Sequence, residues 1–195
     1  MTFDPGSPLD YPEGSRVTTT DIFLDPVAFE TADDESLNLY KHGEYFRNSK
    51  GWGDHLVKSS TPVLITNIVN AEINKAIQDK VKQHIGDYNT TAVYQYWPVG
   101  SYIAWHGDGY HKAALTIYLS EHDNDDGGYF MYDDGKGLKA IRPKPNRAVF
   151  VTGGMHHCVT TVNQGSPIRR TMQAVSYTHL RAHETREDRG WRGVL

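Results

Sequence analysis

Cysteine is almost missing from this chain. Cys158 is the only one in 195 residues, so no internal disulfide can form, and a reducing compartment, the cytoplasm, is the expected setting. Long apolar runs are missing too, which excludes a helical membrane span. Residues 1–14 are polar and rich in Pro, Asp and Gly, without the basic start and apolar segment of a secretory signal. Dense Lys/Arg runs are absent before the last residues, and the formal net charge is -4. Phosphate binding leaves a basic footprint, so nucleic acid is not expected as the main partner. What is present, 38% hydrophobic and 23% charged residues, is ordinary for a soluble globular chain with one core. Ten histidines is a high count that by itself assigns nothing.

Taken in order, residues 1–15 are expected to be disordered. Residues 16–24 (RVTTTDIFL) are β-branched and predict a strand outside the main sheet, with Asp25-Pro26 as punctuation. Residues 33–60 hold Tyr40, His42, Tyr45, Phe46, Trp52 and His55 without a clear period. That texture fits either a surface loop with a short helix or an aromatic lid facing a substrate. Residues 61–69 (TPVLITNIV) predict another strand. Asn70 then makes an N-cap with Glu72 in the first turn. Ile73, Ile77, Val81 and Ile85 follow at i, i+4 spacing and Gly86 ends the pattern, so a bracing amphipathic helix is predicted.

From Thr90 onward the period becomes that of strands. They are predicted at 92–97, 101–108, 113–120, 128–132, 138–142, 147–152, 156–162 and 169–177, with Gly, Pro, Asp and Asn turns between them. The predicted fold is α+β and mainly β: a double-stranded β-helix (jelly-roll) barrel with at least one bracing N-terminal helix. A single domain is expected over residues 16–177, with its barrel core at 91–177. Residues 178–195 are Arg-rich and aperiodic; they read as a tail, native or foreign to the domain, and His179 and His183 within it are not taken as ligands.

His106 and Asp108 are two apart, so in a strand they share a face. Two histidines and one carboxylate on one face of a metal, with open positions opposite, are the donor set of non-haem Fe(II) oxygenases. The third ligand lies about fifty residues on, at His156 or His157, which alternate faces. Arg169, Thr171 and Gln173 share one face of the last strand and Arg170, Met172 and Ala174 the other. An arginine fork matches a carboxylate, and the first set is the more polar wall. Trp105 lies opposite His106 and is expected to be structural, as is Cys158.

With these residues in place, residues 61–177 resemble the Fe(II)/2-oxoglutarate-dependent dioxygenases, prolyl 4-hydroxylase-like branch. The likeness rests on His106-Gly107-Asp108, on Tyr96 and Gly100 ahead of it, and on Leu115-Thr116-Ile117-Tyr118-Leu119-Ser120. It extends to Asp126-Gly127-Gly128, to Pro143-Lys144-Pro145-Asn146-Arg147-Ala148-Val149-Phe150, to His157-Cys158-Val159-Thr160 and to Arg169. The resemblance implies His106, Asp108 and His157 as iron ligands. It implies Arg169, Tyr96 and Tyr118, with Thr171, around the co-substrate. Two departures occur: Ser166-Pro167 lengthens the interval after His157, which keeps Arg170 as the alternative anchor, and Thr161 stands where proline is common.

The activity implied is hydroxylation of an unactivated C–H bond in a peptidyl proline, free amino acid or small metabolite, with release of succinate and CO2. Fe(II), 2-oxoglutarate and O2 are the implied cofactors, with ascorbate as a candidate. Halogenases in this group lack the carboxylate, so Asp108 favours hydroxylation. The rivals are a cupin-like metal barrel without 2-oxoglutarate, a non-catalytic relic and a zinc hydrolase. The Tyr110-His111 turn and the 33–60 loop are expected at the entrance.

Overall fold

The computed structural model describes residues 16–47, 63–86, 88–108, 112–152 and 154–177. The elements in chain order are β1 (Arg16–Thr20), α1 (Pro26–Lys41), β2 (Phe46–Arg47), β3 (Leu64–Asn67), α2 (Ala71–Ile85), β4 (Asn89–Trp97) and β5 (Ile103–His106). They continue with β6 (Ala113–Tyr118), β7 (Phe130–Asp133), β8 (Leu138–Ile141), β9 (Ala148–Thr152), β10 (His157–Val159) and β11 (Arg169–Tyr177). All eight strands expected after Thr90 form, most of them shorter than predicted at their ends.

The strands build a seven-stranded sheet, β1-β9-β6-β11-β4-β3-β2, and a four-stranded sheet, β5-β10-β7-β8. Every pair is antiparallel. Among the described residues no ladder joins the two sheets, so this double-stranded β-helix is an open sandwich rather than the closed barrel expected. β1 is not outside the main sheet; it pairs with β9 along five residues, Arg16 with Thr152 through Thr20 with Ala148.

Two apolar layers result. Between the sheets lie Val63, Trp97, Tyr118, Val149 and Val151 from the large sheet side and Phe130, Val159 and Val162 from the small one. On the outer face of the large sheet, Tyr94, Tyr96, Leu115, Ile117, Phe150 and Met172 pack against Ala32 and Leu39 of α1 and Ile73, Ile77 and Val81 of α2. Each fully buried Ile or Val of α2 contributes about 1.5–3 kcal/mol relative to exposure.

α2 starts and stops as predicted. The Asn70 side chain accepts from the N–H of Glu72 at 2.9 Å and of Ile73 at 3.2 Å, and Gly86, with φ +96, is the C-cap. α1 is a finding. Asp25-Pro26 does not merely punctuate a strand: the Asp25 carboxylate caps Ala28 N–H at 3.0 Å and Pro26 opens a 16-residue helix. Residues 33–41 therefore belong to a helix that begins earlier than the short helix expected within the 33–60 loop. Glu35 in that helix ties three elements, accepting from the N–H groups of Val69 and Asn70 and from the Tyr94 hydroxyl at 2.6 Å. The expectations for residues 1–15, 48–62, 110–111 and 178–195, including Trp52 and His55 of the aromatic lid, lie outside the described residues, whereas Tyr40 and Tyr45 pack on Tyr96 at the helix side of the large sheet.

Candidate active site

β5 and β10 are neighbours in the small sheet, and His106 and His157 are direct cross-strand partners. Their ring centroids are 4.3 Å apart. Each imidazole is oriented by the same local device. Nδ1 of His106 bonds the carbonyl of Ala104 at 2.8 Å, and Nδ1 of His157 bonds the carbonyl of Met155 at 2.8 Å. A carbonyl only accepts, so Nδ1 carries the proton and Nε2 presents its lone pair, as a metal-ligating histidine requires. Phe130 stacks on His157 at 5.0 Å and limits its tilt.

Strand register explains how His106 reaches the interior. Ile103 pairs with Val159 and His106 with His157, so β5 spends three steps where β10 spends two. The extra residue is a β-bulge, a device that re-aims side chains. It lets Ile103, packed against the inter-sheet core, and His106 both face inward. Trp105 is turned out and is 47% exposed, so it supports no core.

Asp108 comes from just beyond β5. Its Oδ1 is 3.7 Å from Nε2 of His106 and its Oδ2 is 3.8 Å from Nε2 of His157. Both separations exceed a hydrogen bond, and Oδ2 is buried with no hydrogen-bond partner among the described residues. One donor atom from each of the three residues lies within 4.8 Å of the others. Two neutral nitrogens and an orphaned carboxylate oxygen converging on one point fit a divalent metal better than they fit each other. Gly107 makes the approach possible. A Cβ there would lie 2.8 Å from the Gly154 carbonyl oxygen and 3.3 Å from the His156 ring. His156 itself is exposed.

The second half of the site is on the large sheet. Arg169 is buried at 1% exposure on β11, directly across from Trp97 of β4. Its guanidinium carbon sits 4.4 Å from the Trp97 ring centre and 5.1 Å from that of Tyr118 on β6. Nε and Nη1 of Arg169 and the hydroxyl of Tyr118 have no hydrogen-bond partner among the described residues. Burial holds Arg169 below its ordinary pKa and pushes the Tyr118 hydroxyl above its own. A buried cation without a counter-ion is costly, so this arrangement fits a carboxylate arriving from solution. Thr171, fully buried one rung along, accepts from the Trp97 indole N–H at 3.1 Å and bonds Gln95 at 3.4 Å.

Two expected site residues are not brought here. The Tyr96 side chain faces the helices: its hydroxyl donates to the Ser36 carbonyl at 2.9 Å and its ring packs against Tyr40 and Tyr45. Trp97 occupies the inner face instead. Arg170, across from Tyr96, also points outward, with Nη1 2.7 Å from the Asp33 carboxylate of α1. One buried residue escaped the sequence reading altogether: His122, beyond the end of β6, is 3% exposed. Nothing in its sequence surroundings marks it.

Two facing antiparallel sheets with an inward His-x-Asp…His set define a double-stranded β-helix of the non-haem metal oxygenase class. Residues 91–177 match the model of the 2OG-Fe(II) oxygenase superfamily. Solved structures agree on the fold. A Pseudomonas putida prolyl-4-hydroxylase is 14% identical, with a TM-score of 0.67 over 85% of this chain and 94% of that one. A Trichoplax adhaerens prolyl hydroxylase, bound to a peptide fragment of the hypoxia inducible factor oxygen degradation domain, is 18% identical with a TM-score of 0.69, covering 83% of each chain. The epimerase SnoN, in complex with Fe3+, alpha ketoglutarate and nogalamycin RO, is 11% identical with a TM-score of 0.61, covering 83% of this chain and 78% of that one. No curated protein sequence matches the chain. Among the described residues no helix is long and apolar enough to cross a membrane.

Proposed function

We propose that the protein is an Fe(II)- and 2-oxoglutarate-dependent hydroxylase in which residues 16–177 act as one domain. Its substrate would be a peptidyl proline, a free amino acid or another small metabolite. The observation that carries this reading is the pairing of two incomplete sites: a His106–Asp108–His157 donor set with an orphaned carboxylate oxygen, and a buried Arg169 with unpartnered nitrogens. A cupin-like metal barrel would need the first and has no use for the second. The structural neighbours named for a peptide complex and for a small-molecule complex support either substrate class.

The ligand roles follow from the chemistry of each side chain. His106 and His157 would donate through Nε2 and Asp108 through its carboxylate, leaving the opposite face open. Fe(II) held there supplies the coupling of 2-oxoglutarate decarboxylation to C–H oxidation, so that R–H, 2-oxoglutarate and O2 become R–OH, succinate and CO2. Arg169 would bind the co-substrate's distal carboxylate through charge and two N–H groups, with the Tyr118 hydroxyl as a further donor. The Trp97 ring, with its centre 4.4 Å from the guanidinium carbon, restricts the motion of that group. The protein thus contributes orientation and a dry pocket.

The test is stoichiometry. Anaerobically purified, iron-loaded protein given a broad amino-acid and peptide pool is expected to form succinate in step with O2 use. Absence of both 2-oxoglutarate binding and consumption would overturn the assignment, and metal analysis showing zinc alone would move it to hydrolysis.

A further inference from the structure

His122 is a buried polar side chain that the proposed chemistry has not used. It is 3% exposed, and neither Nδ1 nor Nε2 has a hydrogen-bond partner among the described residues. A buried imidazole in that condition forfeits the hydrogen bonds it would make in water. Its nearest carboxylate does not relieve it. Asp126 Oδ2 is 3.7 Å from Nδ1, beyond hydrogen-bond range, and already accepts the Asp123 N–H at 2.7 Å.

The loop that carries His122 runs beside Arg169 and Arg170 of β11. Before it, Leu119 N–H donates to the Arg170 carbonyl at 3.0 Å, and Ser120 Oγ accepts from Arg170 N–H at 2.9 Å. After it, Gly128 lies so close that a Cβ there would sit 3.1 Å from Cδ of Arg169. The loop is fixed from both sides: Arg142 donates to the His122 carbonyl at 2.8 Å, and Asn163 donates to the Asp125 carbonyl. Burial, and then the Arg169 charge, push the imidazole down to about 4, so it is neutral at physiological pH. Three sets of unsatisfied polar atoms, on Arg169, Tyr118 and His122, are thus drawn from β11, β6 and the loop that follows β6.

We propose that His122 is a third binding residue for the distal carboxylate of the 2-oxo diacid, donating an imidazole N–H beside the Arg169 fork and the Tyr118 hydroxyl. The proposal rests on the 2-oxoglutarate reading above. A neutral imidazole has one N–H donor in either tautomer and adds no second positive charge to a buried site that already holds a guanidinium. It therefore adds direction to a pocket whose charge Arg169 already supplies.

Binding separates this role from a structural one. The full chain, loaded with Fe(II) under anaerobic conditions, is titrated by calorimetry with 2-oxoglutarate, and by competition with 2-oxopentanoate. The second ligand keeps the 2-oxo acid end and lacks only the distal carboxylate. His122→Phe is expected to weaken 2-oxoglutarate by roughly ten- to a hundredfold, the range for a lost hydrogen bond to a charged group. It should leave 2-oxopentanoate within about twofold by the same reasoning, because no contact to that ligand is removed. His122→Asn or His122→Gln, which return an N–H donor, should recover part of the preference. An equal loss for both ligands, or no loss for either, overturns the proposal. If His122→Phe does not fold, His122→Leu is scored by the same ratio. Failure of the unsubstituted protein to bind 2-oxoglutarate would instead sink the functional reading, before any variant is made.

Discussion

On the inner face of the β4–β11 pair, Arg169 lies between Trp97 and Tyr118, with Nε and Nη1 unpartnered among the described residues. One residue along, on the outer face, Arg170 is paired with Asp33 of α1 and Tyr96 is bonded to the Ser36 carbonyl. The same two strands therefore carry two kinds of polar group. Those on the helix side are satisfied within the protein and hold α1 to the sheet. Between the sheets Thr171 is bonded to Trp97 and Gln95, while Nε and Nη1 of Arg169 have no hydrogen-bond partner among the described residues. A buried polar group that the fold does not satisfy is a candidate for a ligand; one that the fold satisfies is architecture. The contrast recurs in the small sheet, where His157 is inward and buried while His156 is exposed.

Substitutions made in adjacent pairs should break this contrast or sharpen it. The largest difference is expected at the ligands. His157→Ala should abolish iron retention and turnover while His156→Ala leaves both intact, as read by metal content and succinate release. The reverse pattern would move the third ligand to His156. Next come the arginines. Arg169→Met should raise the KM for 2-oxoglutarate on the order of a hundredfold, the scale for losing one side of a buried charge pair. Arg170→Met should leave that KM alone and lower stability by about 1–3 kcal/mol, because Asp33 loses its partner. A KM effect at Arg170 equal to that at Arg169 would end the inner–outer distinction.

Gly107→Ala falls between the classes. The 2.8 Å approach to the Gly154 carbonyl leaves no room for a methyl group, so about 1–3 kcal/mol of stability should be lost together with metal affinity. Unchanged metal binding would show that the loop yields freely. The smallest effects are expected at the aromatic neighbours. Tyr96→Phe should cost about 1 kcal/mol in urea unfolding with an unaltered KM. Trp97→Phe should raise the KM a few-fold, through a weaker cation–π contact worth about 0.5–1 kcal/mol.

The strand order and the shared face of His106 and Asp108 were legible because both depend on short periods, whereas the choice between His156 and His157 came from the family resemblance and not from the pattern. Alternation, Gly and Asp turns and the His-x-Asp spacing are local signals, and the Asn70 and Gly86 caps of α2 are as local. Facing was harder. The last five residues of β4 are all buried, since helices cover one side of the large sheet and the small sheet covers the other. With both faces apolar, alternation no longer marks the inside, and Tyr96 and Trp97 could not be told apart. α1 was hidden for a related reason. Only Ala32, Ser36 and Leu39 are buried along its 16 residues, so it shows no apolar stripe, and the capping by Asp25 with Pro26 was its one clear signal. His122 depends wholly on tertiary contacts and left no mark in the sequence.

The extra residue in β5 has a consequence for tolerance of insertions and deletions. Ala104 belongs to the bulge, and its carbonyl is the one that fixes the His106 ring. Removing Ala104 would make β5 a regular strand with Ile103 and His106 two steps apart and still on one face, but it would take away the bulge's local twist and the carbonyl that holds the His106 ring. The Gly135-Lys136-Gly137 tip of the β7–β8 hairpin is exposed and has open space around both glycines. A one-residue deletion there should leave iron binding unchanged, whereas deleting Ala104 should weaken it. The geometry of the bulge, not the side chain that forms it, is what aims the strand beside the metal.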